Sequence, residues 1–89
     1  MFYVYVLKSY EIEWYYVGLT ANIENRVLRH NRGREKATKH YRPFTLVFAQ
    51  EFENRASARN IEKYLKISSN KESLIGLIAG VVKLVDTQS

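Results

Sequence analysis

Two short runs of aromatic and β-branched residues, Phe2 to Leu7 (FYVYVL) and Trp14 to Leu19 (WYYVGL), most tightly limit how this chain can fold. Each has the composition of a strand. Only a polar connector, Tyr10 to Glu13, separates them, so the simplest arrangement is a hairpin. The first run is apolar on both faces, with Phe2, Val4 and Val6 on one and Tyr3, Tyr5 and Leu7 on the other. Lys8 and Ser9 end it. Gly18, near the end of the second run, signals a bulge or a close backbone approach.

Helical signals follow. Asn22 is a good N-cap, Glu24 favours a first turn and Gly33 favours a stop, which predicts a helix from Asn22 to Arg32. The next stretch, RGREKATKHYRP, is a basic loop carrying Arg32, Arg34, Lys36, Lys39 and Arg42 against a single Glu35. Pro43 opens a third strand, Phe44 to Phe52, in which Phe44, Leu46 and Phe48 alternate with Thr45, Val47 and Ala49. Asn54 caps a second helix reaching about Lys66. Asn70 caps a third, running to about Ile78, with a stop at Gly80. The tail VVKLVDTQS has strand-like composition but no obvious partner. The fold class is α/β (α+β): a small three-stranded, mainly antiparallel sheet flanked by helices, in the order β-β-α-β-α-α. The domain spans residues 1–80, and residues 81–89 are an unassigned tail.

With 89 residues the chain is one domain near the lower limit for a single core, and 46% apolar residues, including seven tyrosines and four phenylalanines, must fill it. Cysteine is absent, which removes disulfides and thiolate metal sites and suits a reducing compartment. The N-terminus lacks the basic leader of a signal peptide, and no apolar run approaches the ~20 residues of a membrane span. A cytoplasmic, non-membrane protein is expected. Fourteen Lys+Arg against nine Asp+Glu give a net charge of +5 and a pI near 9.6. Such a balance favours a polyanionic partner, usually nucleic acid.

On a helical wheel of the first helix, Ile23 and Val27 define the buried stripe. Arg26 and His30 fall beside that stripe at i,i+4, while Asn25, Arg29 and Arg32 point away. An arginine on the rim of a core needs an anion, and spacing alone favours a structural ion pair. In the second helix Ala58, Ile61 and Leu65 form the stripe, with Glu62 at its edge. An ordinary Glu62–Lys66 pair, worth about 0.3 kcal/mol on a solvated face, would explain that residue taken alone. Tyr5 and Tyr16 lie in strands that a hairpin brings together. Strand aromatics are normally core. A phenol that instead faces an arginine and a metal has its pKa lowered from ~10.

Taken in order, these residues resemble a known family. Tyr3-Val4-Tyr5 and Tyr16-Val17-Gly18 are similar to the two halves of the GIY-YIG nuclease motif. Asn22-Ile23, Arg26, His30 and a later helix with Glu62 follow, as do a T-x-x-x-R-P segment (Thr38 to Pro43) and an E-x-x-x-K segment (Glu62 to Lys66). The chain is most similar to the small stand-alone bacterial members, over Phe2 to Ile78. The resemblance implies Glu62 as ligand of a divalent metal, Mg²⁺ or Mn²⁺, and Arg26 as the clamp on the scissile phosphate. It implies Tyr5 as the base with Tyr16 in support, roles that are exchangeable, and His30 in positioning or proton transfer. Three departures stand out: Tyr3 replaces the first glycine, Leu19 stands where some relatives have lysine, and the sequence past Lys66 drifts.

The function so implied is metal-dependent endonucleolytic hydrolysis of DNA phosphodiester bonds, on branched or damaged DNA in repair or recombination. RNA stays open as a substrate, and a protein partner or homodimer is a route to targeting. The basic loop would supply phosphate contacts through Arg32, Arg34, Lys36, Lys39 and Arg42. The alternative is a non-catalytic nucleic-acid-binding module that uses the same surface.

Overall fold

The computed structural model describes residues 1–88, with side chains to residue 78. Its elements are β1 (Phe2–Ser9), β2 (Tyr15–Thr20), α1 (Ile23–Asn31), a 3-10 turn (Lys39–Tyr41), β3 (Phe44–Phe52), α2 (Arg55–Lys66) and α3 (Ser68–Gln88). The sheet order is β2-β1-β3, antiparallel throughout. This is the α+β arrangement expected from the sequence.

β1 takes the centre because it is apolar on both faces. Val4 and Val6 pack with Val17, Ala58 and Leu65 beneath α2. Tyr5 and Leu7 face the other way, with Phe44, Val27 and Tyr41 packed around them. Each such side chain withdrawn from water contributes roughly 1.5–3 kcal/mol, so two thin cores sharing one strand can hold a chain this short.

The regular alternation expected of β3 fails at one point. Val6 pairs with Phe48 but Leu7 with Leu46, so Val47 is the extra residue of a β-bulge. The bulge turns consecutive residues, Val47 and Phe48, onto the α2 core, and leaves Leu46 40% exposed.

The helix starts follow their caps. Asn22 Oδ1 accepts the Asn25 N–H at 3.0 Å, and Asn54 Oδ1 accepts the Ser57 N–H at 2.8 Å. Gly33, at φ +76°, takes the left-handed turn beyond α1, and the Arg42 side chain lies over it. Asn31, in the last turn of α1, clasps the start of β3. Its Oδ1 accepts the Phe44 N–H at 2.6 Å and its Nδ2 donates to the Phe44 carbonyl at 3.3 Å.

α3 differs from the expectation. It begins at Ser68, and Asn70 donates from Nδ2 to the Tyr64 carbonyl at 2.9 Å instead of capping. The helix also continues past Gly80. A glycine inside a helix costs about 1 kcal/mol against alanine, but it ends the helix only where the backbone turns left-handed.

Candidate active site

The site is built where the two strand tyrosines meet α1. Tyr5 pairs with Gly18 across β1 and β2, and its ring lies directly over that glycine. A β-carbon on Gly18 would strike the ring, so the close approach read from the sequence is the seat of Tyr5. Tyr16 lies on the same side of the sheet, its ring centroid 6.3 Å from that of Tyr5 and 5.0 Å from that of His30.

His30 is the hub. The wheel places it on the rim of the core, but it is 1% exposed, because residues 38–41 and Phe44 close over the end of α1. Its Nε2 lies 3.0 Å from the Tyr5 hydroxyl and its Nδ1 2.8 Å from Thr38 Oγ1. Thr38 Oγ1 also lies 3.5 Å from the Glu35 carbonyl, at the edge of hydrogen-bond range. With Nδ1–H donated to Thr38, Nε2 accepts the Tyr5 proton; the opposite tautomer reverses both bonds. Burial lowers the His30 pKa from its usual value, with smaller contributions from Arg26 and Arg29, while Glu35 pulls it up. The imidazole is neutral in this setting.

Tyr5 departs from the expectation of an acidified phenol. Its pKa is raised, first by burial and then by Tyr16, with Glu35 and Glu62 adding to the rise. Arg26 lowers it, as anticipated, but the loss of solvent outweighs one partly exposed cation. Tyr5 is thus a phenol hydrogen-bonded to a neutral base, not a standing phenolate.

Arg26 does have an anion. Its Nη1 lies 3.1 Å from Glu35 Oε1, and Arg29 Nε lies 3.0 Å from the same oxygen. Glu35 is held ionised below its usual range, chiefly by its hydrogen bond with Arg29. Arg26 keeps N–H groups beyond the one given to Glu35.

Glu62 is the one buried carboxylate among the described residues, at 6% exposure. Its Oε1 lies 3.4 Å from Arg59 Nη1 and its Oε2 3.2 Å from Lys66 Nζ, so the i,i+4 pair foreseen from the sequence does form. Lys66 lines a cleft with Trp14, Tyr16 and Lys71, whereas the Glu62 carboxylate has its ion pairs, among the described residues, within α2. Among the described residues Glu62 makes no hydrogen bond or ion pair with Tyr5, Tyr16, Arg26 or His30, and it is the smallest of the influences that raise the Tyr5 pKa. Among the described residues no three His, Cys, Asp or Glu side chains cluster as a metal cage, so a metal here would rest on one carboxylate.

Arg32, Arg34, Lys36, Lys39 and Arg42 are all exposed around the turn that follows α1. Two residues received no role from the sequence: Thr38, which orients His30, and Glu35, which pairs with Arg26. The signal for Glu35 was its standing as the lone acid in a run of cations. For Thr38 it was the T-x-x-x-R-P segment itself.

The sequence profile of the GIY-YIG catalytic domain matches residues 1–74. The chain belongs to the GIY-YIG family. It is 39% identical over 75 residues to the UPF0213 protein CPE1444 of Clostridium perfringens, covering 83% of this chain and 80% of that one. It is 38% identical over 69 residues to the UPF0213 protein YazA of Bacillus subtilis, covering 76% and 69%. The solution NMR structure of the UPF0213 protein BH0048 from Bacillus halodurans is 31% identical, with a TM-score of 0.54, covering 86% of this chain and 85% of that one. These names state no activity. As a GIY-YIG domain the chain belongs to a nuclease family, and among the described residues no helix is long and apolar enough to cross a membrane.

Proposed function

We propose that this chain is a metal-dependent endonuclease that hydrolyses DNA phosphodiester bonds at the Tyr5–His30–Arg26–Glu62 site, with branched or damaged DNA in repair or recombination as its targets. The observation that carries the reading is the buried Tyr5–His30–Thr38 chain beside a cation, Arg26, whose N–H groups other than Nη1 have no side-chain partner among the described residues.

In this mechanism Tyr5 takes a proton from the attacking water as its own proton passes to His30 Nε2. A raised pKa makes free phenolate scarce, and the paired transfer avoids forming it. The imidazolium keeps its Nδ1–H on Thr38. A P–O bond forms to the water oxygen, and the bond to the departing nucleotide oxygen breaks with its electron pair. Arg26 binds the phosphoryl oxygens as negative charge builds on them. Tyr16, next to both Tyr5 and His30, positions the water.

The hard carboxylate oxygens of Glu62 suit Mg²⁺ or Mn²⁺, which bind through few protein ligands and many waters. Arg59 and Lys66 are both about half exposed at the side chain and can swing off Glu62 to make room. Glu62 would hold the ion, which supplies charge stabilisation at the phosphate when bound. The exposed cations Arg32, Arg34, Lys36, Lys39 and Arg42 give the DNA backbone a track leading away from Arg26, with RNA offering the same phosphates. A partner protein or a homodimer would supply targeting that a domain this small lacks.

The test is incubation with supercoiled plasmid and branched duplexes in Mg²⁺ or Mn²⁺, with an EDTA control and parallel mobility shifts. The reading expects metal-dependent nicking. Tight binding with no nicking on any substrate would move the assignment to a nucleic-acid-binding module.

A further inference from the structure

We infer that Glu35 is a positioning residue, holding the Arg26 guanidinium so that its remaining N–H groups face the phosphate. This rests on the hydrolytic reading above and deepens it.

Both ends of Glu35 organise the site. Its Oε1 takes Arg26 Nη1 at 3.1 Å and Arg29 Nε at 3.0 Å. Its carbonyl accepts the backbone N–H of Thr38 at 3.2 Å and of Lys39 at 3.0 Å, and lies 3.5 Å from Thr38 Oγ1. One residue therefore fixes the phosphate cation with its side chain and the orienter of His30 with its main chain.

An unrestrained arginine has many rotamers, and Arg26 is only partly buried. One bond from Nη1 to a carboxylate restricts that freedom while leaving other donors available. A carboxylate near the phosphate has an electrostatic cost. The Arg26–Glu35–Arg29 group carries +1, where the two arginines alone would carry +2. A chain under no need to aim Arg26 would bind phosphate better without Glu35. Its presence, as the lone acid in the basic loop, implies that aim matters more than net charge here.

This predicts a split between binding and turnover that neither a stabilising ion pair nor a simple competitor produces. Glu35→Ala should bind duplex DNA in EDTA more tightly, by about twofold to fivefold, the size of one exposed ion pair. Its single-turnover cleavage should be slower, by roughly 10- to 100-fold, the cost of a misplaced catalytic group. Glu35→Gln keeps an acceptor oxygen for Arg26 and should recover part of the rate.

The experiment measures Kd and single-turnover rate for wild type, Glu35→Ala and Glu35→Gln, with thermal unfolding of each. The ¹⁵N signals of the Arg26 Nη and Arg29 Nε groups, the ones bonded to Glu35, are followed alongside. A protected Arg26 signal that broadens in Glu35→Ala, with the split in Kd and rate, supports the inference. Tighter binding with equal or faster cleavage would make Glu35 a mere competitor and overturn it. Weaker binding and slower cleavage together with a large fall in Tm would reduce it to a structural ion pair, and also overturn it. If wild type cleaves nothing, the nuclease reading fails on its own. The Arg26 signal and the Kd series then still decide whether Glu35 holds the arginine: an unchanged signal in Glu35→Ala overturns the inference.

Discussion

The Tyr5 hydroxyl lies 3.0 Å from His30 Nε2, inside a core where both residues are at most 2% exposed. A buried histidine that accepts a phenol's proton must be neutral, and in that tautomer its Nδ1–H is donated to Thr38 on the opposite side of the ring. Three of the site's properties follow from that one contact: its orientation, its pH dependence and its sensitivity to small changes around it.

Thr38→Val keeps the shape of the side chain and removes the hydroxyl. It leaves the Nδ1–H of His30 buried without an acceptor, which should cost about 1–3 kcal/mol in urea unfolding. Cleavage should fall by more than the stability loss explains, because the imidazole can flip its tautomer and cease to accept from Tyr5. Stability and rate both unchanged would remove Thr38 from the site.

The pH dependence has a definite sign. His30 has its pKa lowered by burial, so the folded state binds fewer protons than the unfolded state below about pH 6.5. Its contribution to stability is complete above that pH and is lost as pH falls towards the depressed native pKa. Urea midpoints measured from pH 7.5 to 5 should decline in wild type and decline less in His30→Gln. Cleavage should share this acid limb, with a midpoint below 6.5. A rate that rises on acidification would contradict a neutral His30.

Gly18→Ala tests the seat of Tyr5. The added β-carbon meets the Tyr5 ring, so either the ring moves off His30 or the hairpin yields. Overpacking of this kind costs about 1–3 kcal/mol. Nicking should fall at least tenfold at temperatures where the variant is folded by circular dichroism. An alanine here that leaves the rate intact would mean that Tyr5 need not sit where it does.

The basic loop should act on affinity, uniformly across sequences. Lys36→Ala and Lys39→Ala should each weaken duplex binding and reduce the slope of log K against log salt by about 1, as loss of one phosphate contact does. Single-turnover rates at saturation should hardly change. A loss confined to one sequence or one branched structure would show base or shape reading at these positions instead.

Much of this was legible in the chain. The hairpin and the caps at Asn22 and Asn54 follow from local pattern, because each is decided by residues close in sequence. The ordered motif residues identified the family for the same reason. What was not legible depends on distant packing. The depth of His30 comes from the turn after α1 folding back over it, which a helical wheel cannot show. The Arg26–Glu35 pair spans nine residues across a loop, outside any helical period. The rise in the Tyr5 pKa reflects burial, which depends on tertiary packing and outweighs the nearby positive charge that the residues alone suggest. The β3 bulge at Val47 leaves no mark in the alternation of Phe44, Leu46 and Phe48.

The most direct test is the initial rate of Mg²⁺-dependent nicking of supercoiled plasmid by wild type, Arg26→Ala and Glu62→Ala under identical conditions. Loss of one electrostatic stabiliser should lower the rate by ~10²–10³ in each variant, with the fold intact by circular dichroism. Wild-type nicking that persists undiminished in either variant would place the chemistry somewhere other than the Tyr5–His30–Arg26–Glu62 site.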